Sequence, residues 1–509
     1  MSNSRARVKW CVWILSLMLV FLVAAVKYPR SREINYQNSD ATWHVLLTMT
    51  AYEETPASTH LFLPLVSLAD GKDIPWGHTL PDRYGNYYYT SFSAAGYFAP
   101  YLFVKLFHLS TNETSLFLFN TFLLCLSVLL LVSFLEEILP ERKGKTGIIL
   151  FVVWTYVSVP EVMHGMGIVY WHQSLMQVTL LAQIICWYRK DRSAGYRAGF
   201  YLLCLLNPYI EWTGFVANIG FVVTELVRGF RRQMGEGWKH SLAVVGLTIG
   251  SGMLFCLHFL IILDANAFFQ TCKDRFLVRK GDAQNYTLLL LKGYKQSFYF
   301  LWVLLFLLFL IVFVACHGKF PAKESILWNH KALFAVSLFP VLENMVMKEH
   351  AVEYAFDRMK LAFPLLLLLA DLLQLAFLKM DCGRLGLAML TGMVFFSGAA
   401  NMHRYCSEND YVWVDGERQA TVSIAQQLEP YRSDSVIGTN GVVRGYLNVT
   451  FHRGIYEWTT EEIVIQQAKE AGRQYAIFLE AEPRIWDMNA VVDAKVVQVE
   501  TMEELVVTP

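Results

Sequence analysis

Long runs of apolar residues, separated by short charged segments, dominate the chain. The first run, Val8 to Val26, follows Arg5, Arg7 and Lys9. A membrane-spanning helix needs about 20 mostly apolar residues, and this run has no small-residue cleavage site, as is typical of a retained signal-anchor. Further apolar runs lie near residues 115–137, 146–160, 173–188, 195–209, 211–228, 240–263, 297–316, 331–347, 358–378 and 385–401. The pattern predicts a polytopic α-helical membrane protein.

Clusters of basic residues between the runs indicate the topology. They lie at 141–145, 189–192, 228–232, 319–323 and 379–384, and the positive-inside rule places such clusters in the cytoplasm. All of them agree only if a shorter apolar run near 94–108 does not cross the membrane. We therefore expect Ser93 to His108 to lie at the outer interface, which leaves about eleven spans and an outward C-terminus. A twelve-span chain with a cytoplasmic C-terminus is the alternative.

Three segments then face outward: a first loop at 29–114, a second at 264–297, and the residues after the last span. From about His403 the composition is more polar, with β-rich stretches at Val436–Gly438, Tyr475–Leu479 and Ala494–Val499 and a helical stretch at Thr460–Gly472. We predict a transmembrane module at 1–402 and a small extracytoplasmic α/β domain at 403–509.

Composition and charge narrow the function classes. The 509 residues are 55% hydrophobic and 17% charged, which is too apolar for an ordinary soluble protein. The 43 lysines and arginines equal the 43 aspartates and glutamates, so no basic excess suggests a nucleic acid partner. The nine cysteines contain no CxxC pair, which predicts neither a disulfide framework nor a zinc site. The partner that the composition predicts is the lipid bilayer.

The first outward loop opens with a candidate catalytic carboxylate. Asp40 begins a predicted helix and His44 follows four residues later, so the two side chains share one helix face. Such a pair can bind a divalent metal ion, or the carboxylate alone can act as general base for an acceptor hydroxyl. The structural alternative is that Asp40 only caps the helix.

A second outward turn carries Glu161 and His164, one helical turn apart. Polar groups are costly near membrane depth, which favours a functional role for them. They would complete a site with Asp40 if the outer ends of these helices converge. The alternative is a pair of side chains that merely hydrogen-bond at the membrane surface.

Basic and aromatic side chains near other outward ends suit an anionic ligand. Arg275 lies in the second outward loop, and Lys348, His350, Tyr354 and Arg358 follow the run at 331–347. The positive-inside rule does not explain cations at outward ends, so we predict that these residues bind a substrate phosphate. Snorkelling of the long basic side chains is the alternative.

The order of these parts resembles the GT-C superfamily of membrane glycosyltransferases, especially bacterial relatives of protein O-mannosyltransferases and of the lipid A aminoarabinose transferase. The segment Asn38-Ser-Asp40-Ala-Thr-Trp-His44 looks like the family's acidic motif after the first span, and Tyr88 to Phe107 looks like the segment that follows. The proline pair that usually opens the latter is absent here.

The resemblance implies a polyprenyl-phosphate or polyprenyl-pyrophosphate sugar donor and a glycan, lipid or protein acceptor. Asp40 takes the role of base, and Glu161 lies where the family has its second acidic motif, although the Asp-x-Asp form is missing. The basic residues take the donor phosphate. The candidate cofactor is a divalent cation, Mg²⁺ or Mn²⁺, with Asp40, His44 and Glu161 as candidate ligands.

The sequence therefore predicts a GT-C-like fold with a small C-terminal α/β domain and an inverting sugar transfer at the outer face of the cytoplasmic membrane. A transporter or flippase for lipid-linked glycans is the first alternative, but such proteins usually show internal repeats. A polymerase or ligase of lipid-linked glycans is the second.

Overall fold

A computed structural model describes residues 2–29, 36–68, 79–142, 144–232, 234–281, 285–379, 384–407, 417–440, 444–451, 455–457, 459–479, 484–490 and 498–501. Within these ranges the chain is mostly helical. The helices are α1 Ser2–Lys27, α2 Ser39–Glu54, α3 Ala57–His60, α4 Ala95–Leu106, α5 Glu113–Ile138, α6 Lys145–Ser158, α7 Pro160–Met163, α8 His172–Arg189, α9 Ala194–Ile210, α10 Thr213–Arg232, α11 Met234–Leu260, α12 Ala265–Lys280, α13 Tyr286–Ser297, α14 Tyr299–Ala315, α15 Ile326–Asn329, α16 Lys331–Val346, α17 Lys348–Glu353, α18 Ala362–Lys379, α19 Arg384–Ser407, α20 Glu417–Leu428, α21 Arg444–Phe451 and α22 Glu461–Glu470.

Helices of other types lie between these α-helices. The 3-10 helices are Ala355–Leu361, Glu429–Tyr431 and Met488–Ala490, and a π-helical turn covers His164–Ile168. The strands are β1 Thr79–Pro81, β2 Tyr87–Tyr89, β3 Ser435–Thr439, β4 Tyr456–Glu457, β5 Tyr475–Leu479, β6 Arg484–Asp487 and β7 Gln498–Thr501.

Four described helical segments are long and apolar enough to cross a membrane. They are Arg7–Lys27, Glu113–Ile138, Gly237–Leu260 and Ala355–Lys379. Two bent pairs bring the number to six if each pair is one span: α6 with Pro160–Ile168, bent by 65°, and α13 with α14, bent by 72°. The predicted membrane character is therefore confirmed, whereas the count of about eleven spans stays a prediction.

Several other predicted spans correspond to shorter helices. Helix α9 has 17 residues and α16 has 16, so each is about 25 Å long, less than the hydrocarbon core of roughly 30 Å. Helix α4, within the predicted interfacial segment, has only 12 residues. At about 18 Å it is too short to cross the bilayer alone.

The chain divides into two compact units. Unit 1 contains 1–31, 117–256 and 276–411, and unit 2 contains 32–116, 257–275 and 412–509. Unit 2 thus groups the first predicted outward loop with the C-terminal residues. The sequence-based boundary after residue 402 rests on composition and stays a prediction.

Unit 1 is a helical bundle with an apolar core. Helices α8 and α9 pack together, as do α10 and α16, α14 and α18, and α1 and α6. A close approach joins α10 to α16, because a Cβ on Gly220 would lie 2.5 Å from the ring of Phe339. This close packing of α10 against α16, whose end carries Glu343, therefore needs a glycine at position 220.

Unit 2 contains a five-stranded mixed sheet of order β4-β3-β5-β6-β7, parallel from β4 to β5 and antiparallel from β5 to β7. Successive side chains of a strand face opposite sides. Accordingly, Ile437 and Ile477 pack with residues of α20 and α21, whereas Val436 and Ala476 pack with α22. Residues 494–497 of the third predicted β-rich stretch lie outside the described residues.

Candidate functional site

Unit 1 buries a set of charged side chains where its helices break. The set, called the charged cluster below, contains Glu161, Glu211, Glu343, His350, Asp357, Arg358 and Lys360, none of them more than 8% exposed. It is built from α7, the turn between α9 and α10, the end of α16, α17 and the 3-10 helix Ala355–Leu361. Pro208 and Pro340 lie inside α9 and α16, where a proline removes a backbone hydrogen bond.

Lys360 is the central cation of the cluster. Its Nζ lies 2.8 Å from Asp357 Oδ1, forms an ion pair with Glu343 and donates a 2.8 Å hydrogen bond to Asn344 Oδ1. Asp357 also lies 3.3 Å from His350 Nδ1. Buried charges are costly unless they are paired and hydrogen-bonded, and these contacts provide both.

Three carboxylates of the cluster converge on one point. An oxygen from each of Glu211, Glu343 and Asp357 lies within 4.8 Å of the others. Gln173 donates a 3.1 Å hydrogen bond to Asp357 Oδ1, and its own buried Oε1 accepts none among the described residues. Oxygen ligands of this kind suit Mg²⁺ or Mn²⁺, although the Lys360 ammonium already supplies a positive charge at this point.

Arg358 links Glu161, the carboxylate of the second outward turn, to the rest of the charged cluster. Its Nη2 lies 3.8 Å from Glu161, its Nε donates a 2.7 Å bond to Ser297 and its Nη1 a 2.7 Å bond to the carbonyl of Ala351. The structure therefore brings together Glu161 and Arg358, which were both predicted as site residues. Most guanidinium donors are engaged by the protein itself, which fixes the orientation of the side chain.

The π-helical turn His164–Ile168 follows Glu161 directly. Lys27 donates a 3.3 Å bond to the carbonyl of Met166, and Asn120 a 3.0 Å bond to the carbonyl of Gly167. Side chains thus satisfy backbone groups that an unbroken helix would satisfy itself. His164 Nδ1 lies 3.4 Å from the hydroxyl of Tyr405. π-turns are frequent at functional sites.

Lys348 and Tyr354 complete the predicted residues of unit 1. Lys348 is half-buried at the start of α17, and it makes no ion pair within 4.0 Å in the described parts of the chain. The ring of Tyr354 lies 4.8 Å from that of His350. Lys348 is therefore accessible to a ligand, whereas His350 belongs to the charged cluster.

Unit 2 holds Asp40, and the structure corrects its predicted role as a helix cap. Helix α2 begins at Ser39, with Asn38 as N-cap in the left-handed region at φ 59°, a conformation that asparagine tolerates better than most residues. Asp40 lies in the first turn and is exposed, whereas Ala41 to Tyr52 are buried. A negative charge in this turn is stabilised by the helix dipole.

His44 and Arg275 are connected through Tyr89. The His44 ring packs edge-on against Tyr89, with ring centroids 4.5 Å apart. Arg275 donates a 2.8 Å bond to the Tyr89 hydroxyl and a 3.0 Å bond to Ser91 Oγ. Two residues that are far apart in sequence, and that were both predicted as binding residues, thus share one aromatic partner.

The predicted set of site residues lacked four members of the charged cluster, Glu211, Glu343, Asp357 and Lys360, as well as Gln173. The available signal was the presence of charged residues within or beside apolar runs, which is costly in a bilayer. Spacing along the chain did not reveal their convergence, because the carboxylates come from separate helices.

The fold can be compared with solved structures. The oligosaccharyltransferase of Archaeoglobus fulgidus in its apo form matches 88% of this chain with a TM-score of 0.52 and 10% identity. The same enzyme in complex with Zn and sulfate matches 92% of this chain with a TM-score of 0.51 and 12% identity. The chain has the GT-C fold. The GT-C resemblance noted in the sequence is thereby confirmed for the fold.

The chain matches only part of each solved structure. This chain spans 64% of the length of the apo structure and 67% of that of the complex. No protein-family model matches the sequence, and no curated protein matches it. At this level of identity the GT-C fold carries no residue roles with it, because one fold supports many functions.

Proposed function

We propose that the protein is a membrane glycosyltransferase that moves a sugar from a polyprenyl-phosphate or polyprenyl-pyrophosphate donor to a glycan, lipid or protein acceptor at the outer face of the cytoplasmic membrane. The observation that carries the proposal is the charged cluster, buried in the helical unit 1 of a chain with the GT-C fold. Ionisable groups at such depth mark functional sites in membrane proteins.

Asp40 is the proposed catalytic base. Its carboxylate is exposed at the start of a helix whose residues 41–52 are buried, so an acceptor hydroxyl can reach it. The carboxylate takes the hydroxyl proton, the oxygen forms a bond to the anomeric carbon, and the bond from that carbon to the donor phosphate breaks. A single displacement of this kind inverts the anomeric centre. Glu161 is the second proposed catalytic carboxylate, held beside Arg358.

Cations stabilise the charge that develops on the leaving phosphate. Arg275 is proposed for this role within unit 2, where Tyr89 and Ser91 orient its guanidinium. In unit 1, Lys348 and Arg358 are proposed as phosphate ligands, and Arg358 Nη2 also lies 3.8 Å from Glu161. His44, His164, His350 and Tyr354 are proposed to shape the substrate site.

We also propose that a divalent cation binds to this chain. The related structure contains Zn and sulfate. In this chain Glu211, Glu343 and Asp357 offer three carboxylate oxygens within 4.8 Å of one another, and they are proposed as one ligand set. Asp40, His44 and Glu161 remain the set that the sequence suggests. The ion would supply charge compensation there.

The test is sugar transfer by the purified full chain in lipid, with a mixed pool of polyprenyl-phosphate sugars. Asp40→Asn is expected to lower the rate by about 10²- to 10⁴-fold, the contribution of a general base. Glu54→Gln is the matched control, because it neutralises an exposed carboxylate on the same helix, and it should retain activity.

No transfer by the wild type, together with movement of lipid-linked glycan across the bilayer, would identify a flippase. Equal transfer by wild type and Asp40→Asn would show that the base lies elsewhere. Chain elongation of a surface glycan as the product would favour the polymerase or ligase.

A further inference from the structure

Two cavities in unit 1 meet at Lys331, away from the charged cluster. One, of about 590 Å³, is lined by Arg228, His330 and Lys331, among others. The other, of about 580 Å³, is lined mainly by apolar and aromatic side chains and also includes Lys331. Each volume lies in the range of roughly 300–1,000 Å³ that is typical of ligand sites. The first cavity has charged side chains in a wall that is otherwise mostly apolar; it is called the polar cavity below, and it adjoins the second, apolar cavity.

The polar cavity has an excess of positive charge. Glu225 pairs with Lys190 at 2.7 Å and with Arg228 at 3.5 Å, so one carboxylate serves two cations. Lys331 has no carboxylate within 4.0 Å in the described parts of the chain; it lies 5.7 Å from the ring centroid of Trp328. Arg228 and Lys331 therefore have positive charge available for an anion.

Two further features support anion binding at this point. Helix α16 begins at Lys331, and the N-terminus of a helix carries partial positive charge. Burial lowers the pKa of His330 below its usual value, so at neutral pH this ring is uncharged and offers hydrogen bonding instead. The cations that remain are Arg228 and Lys331.

The apolar cavity has the lining that a hydrocarbon chain requires. Trp302, Phe306, Phe309 and Leu368 contribute to its wall. The carboxylate of Asp371 also lines it, but accepts hydrogen bonds from Ser325 Oγ at 2.7 Å and from the backbone of Ile326 at 2.6 Å. Its charge is therefore engaged by the protein.

We propose that this double cavity binds one anionic phospholipid, with the phosphate at Arg228 and Lys331 and an acyl chain in the apolar compartment. The adjoining segments 228–232 and 319–323 are basic, and the positive-inside rule assigns such segments to the cytoplasmic leaflet, where anionic lipids concentrate. The site is separate from the proposed sugar transfer and does not depend on it.

The experiment measures binding of phosphatidylglycerol and phosphatidylcholine of equal chain length to the purified full chain by native mass spectrometry. Wild type should bind one phosphatidylglycerol in preference to phosphatidylcholine. Each basic side chain near a membrane surface contributes about fivefold to such binding, so Arg228→Gln with Lys331→Gln should weaken it by about 30-fold. Lys292→Gln with Lys295→Gln removes the same charge from exposed positions of α13, which line neither cavity, and should leave binding unchanged.

A second variant tests the apolar compartment. Leu368→Trp places bulk in that cavity and should weaken the full-length lipid while sparing a short-chain analogue. Soluble glycerol phosphate should not compete. Equal binding of the two lipids, equal loss in the control pair, or displacement by glycerol phosphate would each overturn the proposal. None of these readouts uses sugar transfer, so failure of the proposed enzyme activity would not affect them.

Discussion

Replacement of Lys360 by methionine tests whether the charged cluster has the electrostatic organisation described above. The change keeps a long, flexible side chain and removes the ammonium that pairs with Asp357 and Glu343. Asn344 also loses its 2.8 Å donor. What remains is three buried carboxylates with oxygens within 4.8 Å of one another.

The expected cost follows from this geometry. Two unit charges 4.8 Å apart repel by about 3 kcal/mol at an effective dielectric constant of about 20. Removal of one partner from a buried ion pair costs about 3–5 kcal/mol, because the other charge is left uncompensated. We therefore expect Lys360→Met to lower the free energy of unfolding by about 3–5 kcal/mol.

The assay is reversible unfolding in mixed detergent, followed by circular dichroism. Lys348→Met is the matched control, since this half-buried lysine has no ion pair within 4.0 Å in the described residues, and it should change stability by less than about 0.5 kcal/mol. Adding Glu343→Gln to Lys360→Met should recover part of the loss. A loss below about 1 kcal/mol in Lys360→Met would refute the reasoning.

The same variants address the metal question. If the ammonium is the resident cation, Mn²⁺ should stabilise Lys360→Met, whose carboxylates then lack a positive charge, and should leave the wild type unchanged. Stabilisation of the wild type to the same degree would instead show that Glu211, Glu343 and Asp357 bind metal in the presence of Lys360.

Three further predictions concern unit 2. Ile477→Ala, at a fully buried position of the C-terminal sheet, should lower the unfolding free energy by about 2–5 kcal/mol in a denaturant titration. Burial lowers the pKa of His60, whose Nδ1 accepts the Phe62 N–H. The neutral ring therefore stabilises the fold above the unfolded pKa of about 6.5, and this contribution is lost as pH falls below that value. His60→Gln should accordingly reduce the fall of the unfolding free energy at acid pH. Arg275→Gln should cost about 1–3 kcal/mol and speed hydrogen exchange around Tyr89, because two charged hydrogen bonds are lost; unchanged exchange would contradict this.

Many of the helices could be predicted from runs of apolar residues, because the bilayer requires continuous apolar segments. The run at 115–137 corresponds to Glu113–Ile138, and the run at 385–401 to Arg384–Ser407. The bends could not be predicted in this way. The apolar run at 146–160 ends where the chain turns by 65° after α6, and α13 meets α14 at 72° where the apolar run at 297–316 begins.

The site residues divide according to whether their contacts are local. His350 and Asp357 belong to one short segment, and their contact at 3.3 Å is local. In contrast, Gln173 and Asp357 are 184 residues apart and still bond at 3.1 Å. Such pairs arise from the packing of separate helices, and a single sequence contains no direct record of that packing. Residue type drew attention to the positions, but spacing did not connect them.

Asp40 shows a different limit of sequence reasoning. Aspartate favours both the N-cap and the first turn of a helix, so residue preference alone did not separate the two. The left-handed conformation of Asn38 places the cap two residues earlier. As a result Asp40 lies in the first turn of α2 and not at its cap.

The charged cluster also allows stability to be separated from function. Replacement of a whole buried ion cluster by uncharged groups of similar volume is often neutral or stabilising, whereas breaking one partner is costly. We therefore expect the combined variant Glu211→Gln, Glu343→Leu, Asp357→Asn and Lys360→Met to unfold within about 1 kcal/mol of wild type and yet to lose sugar transfer. Loss of both properties would identify the cluster as a structural element, and retention of both would place the chemistry elsewhere. Because Lys360→Met is expected to lose stability whether the cluster is catalytic or structural, only the combined variant separates these outcomes.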